Sequence, residues 1–270
     1  MTAMSQNALS TAEPFSQAPR HVNLNADLGE SFGAWKMGSD QAMLSIVNSA
    51  NIACGFHAGD PLVMRQTVRA AIAAGVEIGA HPSYPDLQGF GRRRMDIPAD
   101  ELEAILLYQI AALDGIARTE GARVVHVKVH GALNNMACDD PAIADVVAQA
   151  VRRYDETLVL LAPAQSCLSA AGYQAGLKVA EEIYADRAYT DKGQLVPRSQ
   201  PGSMVHGAQA SVAHVQSMLD ANALISVTGK QIPTPISSIC VHGDGPEAVE
   251  TAAALRKALT ARSCVLQGLA

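Results

Sequence analysis

The sequence predicts an α/β fold in which seven parallel strands alternate with helices and close into a barrel. Two observations carry this expectation. Seven short apolar runs are separated by amphipathic stretches, which implies parallel strands joined by right-handed helical crossovers. Ionisable residues also stand at or just past the C-terminal end of most runs. A closed barrel gathers those ends on one face, where barrel enzymes keep their sites, whereas an open sheet spreads them along an edge.

The first run, "HVNLNAD", ends in Asp27, with Glu30 just beyond it. Carboxylates there can act as a general base towards water or as metal ligands. The second, "SANIACGF", is followed by His57 in a loop and by "GDP", which offers Asp60 as an N-cap and Pro61 as the first residue of a helix over 61–74. The third, "VEIGAHP", delivers His81. The loop "GFGRRR" (89–94) lacks the third glycine of a dinucleotide fingerprint; its arginines, Arg92 foremost, suit a carboxylate or phosphate clamp, the alternative being a solvated basic loop. A helix is expected over 98–121.

In the fourth run, "VVHVKVHG", alternation sends Lys128 and His130 to one side and Val127 and Val129 to the other. An interior lysine needs a carboxylate or an anionic ligand beside it. A helix over 141–154 and the fifth run, "TLVLLAP", follow. The sixth, "KVAEEIYAD", carries Glu182 and leads to Arg187. The polar stretch from Thr190 to Gly202, with Pro197 and Arg198, reads as a long loop acting as a lid or partner surface. The last run, "SSICVHGD", ends in His242 and Asp244 before a helix over 246–261.

His57, His81, His130 and His242 each end a different strand, while His21, His126, His206 and His214 occupy less suggestive places. The expected catalytic set is Asp27, Glu30, His57, Lys128 and His130. The expected substrate contacts are His81, Arg92, Glu182, Arg187, Arg198, His242 and Asp244. A divalent metal is left open, with Asp27, His57 and His81 as candidate ligands. Mixed His and Asp on neighbouring strands speaks for it, and the lack of a compact motif such as HExxH speaks against.

Composition narrows the partners. A net charge of −6 and 4% aromatic residues disfavour a nucleic-acid binder and fit a small-molecule ligand. No apolar run approaches membrane-spanning length, and residues 1–20 lack the apolar core of a secretory signal. A cytoplasmic protein is expected, with a mobile N-terminal tail over 1–20 and one barrel domain over 21–270; self-association stays open. The five cysteines are scattered without a CxxC pair, so reduced thiols are expected, Cys54 and Cys240 serving as small buried apolar groups. "SVTGKQ" has Leu224 where a phosphate-binding loop for ATP needs its first glycine.

Seven blocks go further. "NLNADLGE", "SANIACGFHAGDP", "GVEIGAHPSYPDLQGFGRR", "LYQIAAL", "HVKVHGAL", "ADRAYTDKGQLVPRSQPG" and "CVHGDGP" resemble, in order, the signature blocks of the LamB/YcsF family, across about residues 21–265. The resemblance implies a distorted seven-stranded (β/α) TIM-like barrel related to the glycoside hydrolase/deacetylase superfamily. It also implies a reaction, the ATP-dependent hydrolysis of 5-oxo-L-proline to L-glutamate. Two partners, 5-oxoprolinase subunits B and C, would use ATP to phosphorylate the lactam carbonyl oxygen, after which this chain adds water and opens the ring. In such chemistry Asp27, Glu30 or His57 would deprotonate water, Lys128 or an arginine would steady the developing negative charge, and His130 or His242 would protonate the ring nitrogen. The family's fourth strand commonly reads VKPHGALYN; here Val129 replaces the proline and Asn134 the tyrosine, which bears on recognition of the ring. Two rival readings are a metal-dependent carbohydrate deacetylase and a non-catalytic subunit that holds a kinase-like partner.

Overall fold

A computed structural model describes residues 20–241 and 247–270. Residues 1–19 of the expected tail, together with His242 and Asp244, lie outside the described residues. The expected strands form as β1 (His21–Leu28), β2 (Ser49–Ala53), β3 (Glu77–His81), β4 (Val124–Val127), β5 (Val159–Pro163) and β6 (Lys178–Tyr184), each parallel to the one before. A hairpin not anticipated from the sequence, β7 (Ala223–Ile225) and β8 (Gln231–Pro233), intervenes before β9 (Ser238–Cys240). Strand β9 pairs parallel with both β6 and β1, Asn23 facing Ser238 and Asn25 facing Cys240, and this closes a seven-stranded ring. Strand β10 (Val265–Leu266) lies alongside the start of β1.

Helices α1 (Asp40–Leu44), α2 (Pro61–Ala74), α3 (Ala99–Thr119), α4 (Gly131–Asp139), α5 (Pro141–Tyr154), α6 (Cys167–Gln174), α7 (Ala208–Ala221) and α8 (Ala248–Ala261) surround the ring. Helices α2 and α5 open on proline, as expected, because the missing N–H falls where no intrahelical partner exists. Asp60 is the cap of α2: one carboxylate oxygen accepts from Leu62 N and Val63 N, and the other from Gly33 N at 2.7 Å, which ties the loop after β1 to this helix. Among the described residues, no helix is long and apolar enough to cross a membrane.

Strand alternation divides the core in two. Outward-facing Leu24, Ala26 and Leu28 of β1 pack with Ile52, Ile78 and Val127 under Val68, Leu106, Ile110 and Leu113 of the helices. The opposite face, turned into the barrel, is largely polar. Asn23 donates to Ser49 Oγ (2.8 Å), Ser238 donates to Asn23 (2.8 Å), Asn51 donates to Asn25 (2.7 Å), and His126 Nε2 meets Asn51 Oδ1 at 2.8 Å. These amides and hydroxyls satisfy one another, which lets the interior tolerate their polarity. The His126 ring lies over Gly79, its register partner on the adjacent β3, and so reaches Asn51 of β2; a Cβ at Gly79 would overlap Nε2, so β3 requires glycine there. A small apolar cluster of Val159, Leu161 and Ala180 closes over Leu269, whose backbone N–H binds Glu77 at 2.6 Å. The C-terminal segment thereby stoppers the end of the barrel at the strand starts.

Asp114 shows what anchors α3 to the ring. Its buried carboxylate accepts from Arg118 (2.7 Å), Tyr154 Oη (2.8 Å) and Val124 N (3.1 Å). Burial alone would raise its pKa, but these three bonds outweigh burial and hold it below the ordinary carboxylate range. Asp114→Ala is expected to cost about 1–3 kcal/mol, chiefly by leaving the buried Val124 N–H and the part-buried Tyr154 hydroxyl without their acceptor. A lower midpoint in denaturant unfolding at unchanged slope would verify this, and an unchanged midpoint would refute it. Because the folded pKa is depressed, this contribution is present above the unfolded carboxylate value and is lost as pH falls through the folded one.

Candidate active site

The strand-end candidates among the described residues converge on the C-terminal mouth of the barrel. A cavity of about 550 Å³ there is lined by Asp27, Glu30, His81, Arg92, Lys128, His130, Arg187 and Arg198.

Its floor is organised around Lys128, just past the end of β4. The ammonium lies 3.2 Å from Asp27 Oδ1, 3.2 Å from Glu182 Oε2, 3.3 Å from Asn25 Oδ1 and 3.0 Å from Cys240 Sγ, with the Tyr184 ring centre 5.4 Å away. Burial works against the charge of Lys128, yet Asp27, Cys240 and Glu182 together hold its pKa well above the ordinary lysine range. It is therefore a fixed cation rather than a proton donor. Glu182, expected among the substrate contacts, is 1% exposed and sits beneath the cavity as a counter-charge, where Asn25 Nδ2 donates to its Oε1 at 2.8 Å. Asp27 Oδ1 also accepts from Asn51 Nδ2 at 2.9 Å, which fixes the carboxylate with Oδ2 on the His81 side.

Three imidazoles form one wall. His57 stacks on His130 with ring centres 3.9 Å apart and planes 8° from parallel, and His81 meets His130 edge-on at 4.9 Å. His57 lies behind His130 rather than on the cavity surface, fully buried, and its Nε2 is 3.3 Å from Glu30 Oε1. Burial, then the proximity of His130 and His81, pushes the pKa of His57 well below normal; burial and His81 push that of His130 down to about 3. Both rings are neutral at physiological pH. Gly91, at φ +62°, brings the 89–94 loop down onto this stack, where a side chain would collide with Ser83, His130 and His57. The donor atoms of Glu30, His57, His81 and His130 all lie within 4.8 Å of one another, a spacing compatible with one metal ion. Of the three metal candidates in the sequence, His57 and His81 belong to this group, while Asp27 stands beside it, 3.4 Å from His81.

Arginines rim the cavity. Arg92 lies over the Phe90 ring at 4.9 Å, while its neighbour Arg93 turns away to pair with Asp86 and hold the loop. Arg187 is 6% exposed; one guanidinium nitrogen donates to Val196 O at 2.8 Å, and its buried Nε has no hydrogen-bond partner. Burial and the nearby Arg198 both disfavour its charge, so an anion placed there would be bound strongly. The long loop expected after β6 forms the facing wall through Gln194, Leu195, Pro197 and Arg198.

Several residues escaped the sequence reading. Asn25, Asn51 and His126 orient the floor, and Tyr184 lines the cavity. The recurring "N-x-N" of β1 and the lone glycine inside β3 were the available signals, since glycine within a strand marks close approach by another group. Asn134, which replaces the family's tyrosine, does reach the cavity, and its buried Oδ1 has no hydrogen-bond partner.

Known proteins resemble the chain along nearly its whole described length. The chain is 59% identical over 248 residues to the A subunit of 5-oxoprolinase from Azoarcus sp. strain BH72, covering 92% of this chain and 97% of that one. It is 50% identical to the protein of the same name from Methylococcus capsulatus, covering 93% and 96%. The crystal structure of a lactam utilization protein from Thermus thermophilus superposes with a TM-score of 0.86 at 40% identity, covering 92% of this chain and 99% of that one. A more distant structure from Enterococcus faecalis, 14% identical with a TM-score of 0.58, shares the fold alone. The sequence model of the LamB/YcsF family matches residues 22–270, and the chain belongs to that family.

Proposed function

We infer that the chain is the ring-opening component of an ATP-dependent 5-oxoprolinase and hydrolyses phosphorylated 5-oxo-L-proline towards L-glutamate. The observation that carries this reading is the pairing of Asp27 with the buried Lys128 on the floor of an arginine-rimmed cavity. It is supported by the names of relatives that match nearly the whole chain.

The chemistry follows from the difficulty of the bond. A five-membered lactam is a resonance-stabilised amide, so water must be activated, the carbonyl made electrophilic and the nitrogen protonated as it leaves. ATP, bound and used by subunits B and C, supplies the electrophile by phosphorylating the carbonyl oxygen. Asp27 then takes a proton from water as the oxygen bonds to the ring carbon. Lys128 sits beside the negative charge that develops, in a dry site where its field is little screened. As the carbonyl re-forms from the new hydroxyl, the C–N bond breaks with its electrons passing to nitrogen; Asp27 returns its proton there and the hydroxyl proton follows, so that the amine leaves as an ammonium. The product of this step is γ-glutamyl phosphate; a second water cleaves it to glutamate and inorganic phosphate.

Arg187 and Arg198 suit the substrate carboxylate, and Arg92 and Arg94 on the opposite wall suit the phosphoryl group. Arg187→Met is expected to raise KM by about 10–100-fold, the equivalent of one lost charge-assisted contact, with a smaller effect on kcat. Equal loss in kcat with KM unchanged would remove Arg187 from substrate binding.

The test of the reading is ATP-dependent formation of glutamate from 5-oxo-L-proline, measured with the chain alone and then with its candidate B and C partners. Glutamate from the mixture only is the expected result. ATP hydrolysis by the partners without glutamate would direct attention to another lactam, and to Val129 and Asn134 as the positions to revert.

A further inference from the structure

We propose that Glu30, His57, His81 and His130 form a binding site for one divalent transition-metal ion, with Zn²⁺ the best chemical match. The argument starts from where the imidazole protons must be. His81 Nδ1 lies 2.7 Å from the Lys128 carbonyl oxygen, and His130 Nε2 lies 2.9 Å from the Phe90 carbonyl oxygen. A carbonyl only accepts, so both of those nitrogens carry hydrogen. With both rings neutral, the remaining nitrogens, His81 Nε2 and His130 Nδ1, present lone pairs, and they face each other at 3.0 Å. Two lone pairs at that distance in a buried site repel unless a proton or a metal ion stands between them.

The neighbouring carboxylate and imidazole add further electron-pair donors. Glu30 Oε1 is 3.7 Å from His130 Nδ1 and 3.3 Å from His57 Nε2. The nearest ammonium, Lys128, is already engaged by Asp27 and Glu182. Three nitrogens and one carboxylate oxygen make a donor set suited to zinc and its neighbours in the first transition row, and poorly suited to magnesium or calcium, which take oxygen ligands. The carbonyl contacts of His81 and His130 are the outer bonds that orient metal-ligating imidazoles. An ion here would polarise a carbonyl or acidify a bound water next to Asp27. The proposal adds to the hydrolytic reading above but is tested without it, since binding is read apart from turnover.

The experiment is titration of the chelator-treated full-length chain with Co²⁺, followed by visible absorption. The expected result is saturation at one equivalent with d–d bands, displacement by Zn²⁺, and at least ~10-fold weaker binding in Glu30→Gln and His130→Gln proteins whose circular dichroism is unchanged. Should His130→Gln fail to fold, Glu30→Gln carries the comparison. No cobalt spectrum at millimolar ion would overturn the proposal and leave a shared proton between His81 and His130. An identical spectrum and affinity in both variants would also overturn it, because the ion would then be bound elsewhere.

Discussion

Lys128→Met is expected to lower glutamate formation by the reconstituted complex by about 10²–10³-fold, the usual effect of deleting one preorganised charge at a reacting centre. The same change should destabilise the chain by about 3–5 kcal/mol, because Asp27 and Glu182 would be left buried without their cation. Methionine fills much of the volume of the lysine stem, so the defect is one of charge rather than of a cavity. The two effects separate in a double variant. Adding Glu182→Gln removes one of the stranded carboxylates while keeping an acceptor for Asn25, and is expected to recover much of the stability and none of the activity. Denaturant unfolding at constant slope gives the first quantity and initial rates the second. A folded Lys128→Met protein with normal turnover would end the electrostatic role given to this residue.

Asp27→Asn is expected to reduce kcat by about 10²–10⁴-fold with KM little changed, the signature of a lost general base. The amide keeps an oxygen for Asn51 and Lys128, so the floor should hold its shape and the unfolding midpoint should move little. A parallel rise in KM would instead indicate that Asp27 positions the substrate. Comparison with Arg187→Met then divides the cavity by function, with chemistry at the floor and affinity at the rim.

Much of the architecture was legible because barrel strands advertise themselves. The outward faces of β1 to β5 are apolar, and the strand ends carry the ionisable groups that the fold brings together. Helices α2 and α5 were legible to the residue because proline marks their first turn. Helices α4, α6 and α7 were missed: the first two are short, and all three are rich in Gly, Ala, Ser and other residues whose apolar spacing gives little contrast. The site was legible as a list of residue types and not as an arrangement. Glu182 and Lys128 are 54 residues apart in the chain, and nothing local tells that one neutralises the other rather than touching substrate. His126 hid for a related reason: among valines of β4 it reads as a strand residue, and only its passage over Gly79 of the neighbouring strand towards Asn51 reveals its place.

The way β1 is shared has a consequence for how the protein is made. That strand emerges early in synthesis, yet one of its ring partners is β9, and the bond from Ser238 to Asn23 spans 215 residues. Until β9 is available the ring stays open along this seam, and the groove that will hold Lys128 and Asp27 is wet. Its charges carry no desolvation cost while they wait, so the nascent chain can collapse around its helices first. Joining the edges comes late, carries the loop-closure cost of a long-range parallel pairing, and dries the charged floor in the same event. A ribosome-bound chain stalled before Ser238 would thus expose two unpaired strand edges, the form of this protein most in need of a chaperone.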